Sequence, residues 1–86
     1  MKRLIFILSL FICSQNFASE QVFDLGNKQY VNENYSAAIS LYDSILTSGL
    51  ESSELYYNLG NCHYKTNDWA NAIWHYEKSL QLNNNE

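Results

Sequence analysis

Apolar and ring-bearing residues recur at steps of three and four along the C-terminal half of the chain. Leu55, Tyr56, Leu59, Cys62 and His63 follow this spacing and predict a helix near residues 53–66. Trp69, Ala72, Ile73, Tyr76, Leu80 and Leu82 repeat it and predict a second helix near 69–82. Asn67-Asp68 separates the two: Asn tolerates the left-handed backbone that closes a helix, and Asp accepts from the free amides that open the next. Glu33-Asn34 is the equivalent break between helices near 20–32 and 35–48. Gly49 ends the second helix, and Ser52-Ser53 can start the third. The pattern predicts an all-α fold of two helical hairpins.

The hairpins are copies of one another. A shift of 34 residues superposes residues 19–52 on 53–86 without a gap. Identical pairs include Leu25/Leu59, Gly26/Gly60, Asn27/Asn61, Tyr30/Tyr64, Ala38/Ala72, Ile39/Ile73, Tyr42/Tyr76 and Leu46/Leu80. Phe23/Tyr57, Tyr35/Trp69 and Asp43/Glu77 are close substitutions. Gly26 and Gly60 fall inside helices, where glycine costs about 1 kcal/mol against alanine. A cost met twice at one repeat position implies close packing, and Ala38 and Ala72 on the partner helices are the expected neighbours.

A period of 34 residues is that of a helix–turn–helix repeat. The W-x2-L-G-x2-Y block of that repeat appears as Tyr56, Leu59, Gly60 and His63, and again as Val22, Leu25, Gly26 and Gln29. The A-x3-F block appears as Ala72…Tyr76 and Ala38…Tyr42, with Leu50 or Asn84 where proline commonly closes the unit. The chain therefore resembles the tetratricopeptide repeat (TPR) family, with repeats at 19–52 and 53–86 forming a short α-solenoid. The stretch SELYYNLGNCHYKTNDWANAIWHYEKSLQLN, behind an apolar leader, is also similar to the N-terminal region of Bacteroides aerotolerance BatE-type envelope proteins. That resemblance implies Bat-type envelope proteins as partners.

The leader is Met1-Lys2-Arg3 followed by the apolar run Leu4 to Cys13. Positive charge before a run half as long as the roughly 20 residues needed to span a bilayer predicts a secretory signal over residues 1–18, cleaved after Ala18. Export to the periplasm or cell envelope follows. Lipid attachment at Cys13 is the alternative, although Ile12 is bulky for the position before a lipidated cysteine. Removal of 1–18 leaves Lys28, Lys65 and Lys78 against nine acids, a net charge of −6, and leaves Cys62 as the sole thiol.

Composition then excludes whole classes. A chain 47% hydrophobic and 16% charged, with no proline, is neither a disordered tail nor a turn-rich β-sandwich. A formal charge of −4 offers no field for nucleic acid. Two cysteines do not make a disulfide scaffold. His63 and His75 form no i, i+4 or HExxH pair, and adjacent Cys62 and His63 diverge by about 100° on a helix, so no catalytic, metal or cofactor site is expected. His63 is expected to be packed and His75 to lie at the surface.

The TPR resemblance puts the first helix of each hairpin on the concave side of the solenoid. It thereby implies a protein- or peptide-binding face made of Phe23, Asp24, Asn27 and Tyr30 with Tyr57, Asn58, Asn61, Tyr64 and Lys65. Asn27 and Asn61 are expected to offer amide donors and acceptors to an extended peptide, and the aromatic rings to offer contact area. Phe23 and Tyr57 stand where carboxylate-clamping family members carry a lysine, which disfavours that mode. Two repeats bury little core, so the apolar flank of Trp69, Ile73, Trp74, Tyr76 and Leu80 is expected to meet another copy or further chain. Trp74 replaces Ser40 of the first repeat and is the leading candidate for self-association.

Overall fold

The computed structural model describes residues 18–85. Helix α1 spans residues 18–31, α2 Tyr35–Thr47, α3 Ser53–Lys65 and α4 Trp69–Asn85. One hydrogen-bond pattern closes each of the first three. After α1, Glu33 N–H donates to the Tyr30 carbonyl at 2.9 Å and Asn34 N–H to that of Gln29 at 2.8 Å. After α2, Gly49 and Leu50 donate to Leu46 and Ile45. After α3, Asn67 and Asp68 donate to Tyr64 and His63. This paired closure, the Schellman motif, needs one left-handed residue. Glu33, Gly49 and Asn67 supply it, with φ of 65°, 95° and 63°.

The starts are built from the expected residue types. The Ser52 hydroxyl accepts from Leu55 N–H at 3.0 Å and opens α3. Asn34 holds the same position before α2, but its side chain donates to Gln29 Oε1 instead of capping the helix. Asp68 precedes α4, and its carboxylate accepts from the Asn71 side chain at 2.7 Å. That hydrogen bond first, with the Asn71 backbone amide and nearby His63 adding to it, holds the Asp68 carboxyl below its usual value.

The core lies between α2 and α3. Ala38, Tyr42 and Ile45 meet Leu55, Leu59 and Cys62, and Val22, Phe23 and Tyr30 of α1 close over them with Ile39 and Leu46. Full burial of a leucine such as Leu59 contributes about 1.5–3 kcal/mol. The second hairpin is joined at its open end by two serines: Ser53 Oγ donates to the Ser79 carbonyl and Ser79 Oγ to that of Ser53, at 3.0 and 2.8 Å. Cys62 is buried, and burial first, with the charge of Asp43 second, pushes its thiol up to about 11.

One packing expectation is corrected. The glycines face tyrosine rings, not alanines: a Cβ on Gly26 would lie 2.6 Å from Tyr42 Cε1, and one on Gly60 2.5 Å from Tyr76 Cδ1. Ala38 and Ala72 are buried nearby, but a six-membered ring needs the missing Cβ far more than a methyl does. Trp69, Ile73 and Leu80, part of the apolar flank expected to meet a further surface, are exposed in the single chain. Their counterparts Ile39 and Leu46 pack against the core that α3 completes, and among the described residues no helix stands in that place beside α4. No described helix is long and apolar enough to cross a membrane. The apolar run Leu4 to Cys13, and with it the leader and Cys13 lipidation, lies outside the described residues.

Candidate interaction face

Helices α1 and α3 meet through a polar contact. Asn58 Nδ2 of α3 donates to Asn27 Oδ1 of α1 at 3.2 Å, and the Tyr42 hydroxyl of α2 donates to the same oxygen at 2.6 Å. One amide oxygen thus joins three helices. Burial pushes the Tyr42 phenol up to about 12. In the second hairpin the Tyr76 hydroxyl donates to Asn61 Oδ1, also at 2.6 Å. Fixing each asparagine by its oxygen leaves the NH2 group as the side that can address a partner.

Four of the nine expected contact residues surround one recess. Asn27, Tyr30, Asn58 and Asn61 line it with Val31 and Tyr42, in a volume of about 210 Å³. That is smaller than the roughly 300–1,000 Å³ of small-molecule pockets, and is suited to a single inserted side chain. Tyr30 is held edge-on to Tyr35 at 5.5 Å, and Tyr64 edge-on to Trp69 at 5.2 Å. Phe23 tilts against Tyr42 at 5.7 Å, and Tyr57 against Tyr76 at 5.8 Å.

The other expected residues are not at the recess. Phe23 and Asp24 border a groove with Glu20, Leu50, Glu51 and Leu55, where an apolar floor is rimmed by three carboxylates. Tyr57 lines a separate shallow groove with Ser52, Glu54, Ser79 and Asn83. Tyr64 and Lys65 are exposed on the last turn of α3. Val31 and Tyr42 were missing from the expected set. Val31 falls outside the apolar periodicity, and Tyr42 entered the reading only through the repeat and its A-x3-F block; it is also part of the core.

The histidines depart from expectation in one respect. His75 is 8% exposed, not a surface residue, and its ring stacks on that of His63 with centroids 4.8 Å apart. Its Nδ1 lies 2.7 Å from the Asn71 carbonyl, while His63 Nδ1 lies 3.4 Å from Asp68 Oδ2. Each Nδ1 has its own partner, and no group of three or more metal-ligating side chains occurs among the described residues. The nearness of the two rings is set by the hairpin register, which spacing along one helix does not reveal.

Trp74 is half exposed but does not share the apolar stripe of Ile73 and Leu80. It stands about 100° round the helix from Ile73. Its indole packs edge-on against His75 at 4.9 Å and Tyr56 at 6.2 Å, and Lys78 Nζ lies 5.5 Å from the ring centroid. The tryptophan therefore has intramolecular neighbours that its place in the repeat does not predict.

Known proteins share this architecture in part. Residues 53–86 match the family model of the tetratricopeptide repeat. The chain is 37% identical over 59 residues to dynein axonemal assembly factor 4 of Rattus norvegicus and of Pongo pygmaeus, and 36% identical to that of Mus musculus. Each match covers 69% of this chain and only 14% of the relative. The second hairpin is a tetratricopeptide repeat, and with its internal copy it makes this an all-α solenoid of two helix–turn–helix units.

Proposed function

We propose that the protein is an interaction module that takes an extended segment of a partner protein along the face shared by α1 and α3. The observation that carries this reading is the convergence of Asn27, Tyr30, Asn58 and Asn61 on one side-chain-sized recess. Two asparagine NH2 groups, each oriented by a hydrogen bond to its own oxygen, suit the carbonyls of a peptide backbone. Tyr57 and Tyr64 extend the face with large area at low rotamer cost. The carboxylates of Glu20, Asp24 and Glu51 favour a partner with basic residues beside its apolar anchor.

The positive, apolar leader supports export, and the BatE-like stretch supports an envelope setting beside Bat-type proteins. The assembly role in the name of the curated relatives fits a protein that brings others together. The test is selection of extended peptides from a displayed library, followed by fluorescence anisotropy. Saturable binding that Asn58→Ala and Tyr64→Ala each weaken at least roughly five-fold, with helix content unchanged, supports the face. Binding that ignores both substitutions removes it.

A further inference from the structure

The internal repeat shows what the bare stripe of α4 is shaped to receive. In the first hairpin Ile39 and Leu46 are partly buried against the core that α3 completes with Leu55, Leu59 and Cys62. Their counterparts Ile73 and Leu80 are 58% and 59% exposed. The counterpart of α3 is α1, and the outward side of α1 carries an equally bare residue: Leu25, 47% exposed, at the position of the fully buried Leu59. Among the described residues these two bare stripes are therefore counterparts of the two sides of a contact made internally.

The charges agree. Cys62 sits close enough to Asp43 for that carboxylate to raise its thiol. One repeat apart, the same two positions hold Lys28 on α1 and Glu77 on α4, a cation facing an anion. Likewise Asp24 takes the place of Asn58 and brings an acceptor to the Asn61 NH2, whose oxygen already holds the Tyr76 hydroxyl. We infer that the Ile73–Leu80 stripe of α4 is the docking site for α1 of a second copy of this chain, stacked head to tail in the register that joins the two hairpins, with Leu25 buried and Lys28 paired to Glu77.

Such an interface joins two different surfaces, so it can pass from copy to copy and gives assemblies past a dimer, not an isologous pair. Gln21 stands in place of the buried Leu55, which weakens the contact relative to the internal one. The interface meets the α1–α3 recess only at Asn61 and does not depend on peptide binding there.

Sedimentation of the chain as recovered from an expressing cell, over a concentration series into the range of about 1 mM, tests it. The average mass should rise with concentration past that of a dimer. Leu25→Asp and Ile73→Asp alter exposed residues, so both variants should stay folded by circular dichroism and each alone should be monomeric. Their mixture should give a one-to-one heterodimer, because each supplies the surface the other lacks. Lys28→Glu and Glu77→Lys should each weaken association roughly two- to five-fold, and the double reversal should restore it. Trp74→Ser, off the stripe, should leave the mass unchanged. A monomer at every concentration, as would result if another segment covered α4, overturns the proposal. So does growth insensitive to Leu25→Asp and Ile73→Asp, or a mixture of the two that fails to pair.

Discussion

The Tyr42 hydroxyl reaches Asn27 Oδ1 at 2.6 Å while the face of the same ring fills the space left by Gly26. Thirty-four residues on, Tyr76 does both things to Asn61 and Gly60. The Gly-Asn pair is thus a socket for a tyrosine of the partner helix: glycine admits the ring and asparagine accepts its hydrogen bond. In the first hairpin Asn58 also donates to that oxygen, so the socket sets the position of α3 as well.

Removing one hydroxyl separates these tasks. Tyr42→Phe keeps the ring and loses the donor, and it should cost about 1–2 kcal/mol, the range for a buried hydrogen bond. Tyr76→Phe should cost less, because Tyr76 is only half-buried and its asparagine has no counterpart of Asn58 among the described residues. Urea denaturation of the two variants measures the difference; equal losses would mean that burial does not set the strength of the bond.

Substitution of the glycines tests the other half of the socket. Gly60→Ala gains about 1 kcal/mol of helix propensity but drives a methyl to 2.5 Å from the Tyr76 ring. Overpacking of that kind costs about 1–3 kcal/mol, so the net effect should be a loss, larger for Gly60→Leu, which should melt the second hairpin. The same Gly60→Ala change in a Tyr76→Leu background should be harmless or stabilising. A loss of equal size in both backgrounds, read from thermal melts, would show that the ring is not the obstacle.

This pairing also marks what the sequence could and could not disclose. The helices, the breaks at Asn67-Asp68 and Gly49, and the repeat were legible because each rests on local chemistry: spacing, a cap, a left-handed residue. That Gly60 must pack closely was legible too, but its neighbour was not. The alanine and the tyrosine of α4 lie four residues apart, on the same side of the helix, and only the hairpin register says which of them meets the glycine. The same register buries His75 against His63 and turns Trp74 toward Tyr56. For the recess, the repeat resemblance pointed to Asn27, Tyr30, Asn58 and Asn61, whereas the part of Tyr42 depended on a contact 15 residues away.

The first turn carries strain that can be relieved. Glu33 is left-handed at φ 65° while its counterpart is asparagine and the closure of α2 has glycine. A non-glycine residue in that conformation costs about 1 kcal/mol, so Glu33→Gly should raise stability by about 0.5–1 kcal/mol, and Gly49→Ala should lower it by a similar amount. Differential scanning calorimetry decides the signs; a destabilised Glu33→Gly would mean that the Glu33 side chain makes a contribution larger than its strain.

Cys62 should be inert while the protein is folded. Its side chain is buried and its thiol is raised to about 11, so at pH 8 little thiolate exists and a reagent has no path to it. Iodoacetamide labelling with peptide mapping should find Cys62 unmodified in buffer and fully modified in denaturant. Rapid labelling of the native chain would show that α2 and α3 separate readily, the interface most important to the core.

Alkaline pH should attack the same region through Tyr42. Its phenol titrates near 12 in the fold against about 10 when unfolded, chiefly because burial disfavours the phenolate. The unfolded chain therefore releases its proton first. The contribution is intact below pH 10 and is lost as pH rises toward 12, with Cys62 and Tyr56 shifted in the same direction. At about 1.4 kcal/mol per pH unit, Tyr42 alone accounts for on the order of 2–3 kcal/mol by pH 12, a large fraction of what so small a domain can possess. Tyr42→Phe has no proton to lose there, so its stability should start lower at pH 8 and fall less steeply above pH 10. Urea midpoints at pH 8, 10 and 11.5 for both proteins provide the comparison. Parallel curves would mean that Tyr42 ionises as freely in the fold as outside it, and that the hydroxyl is not held between Asn27 and the core.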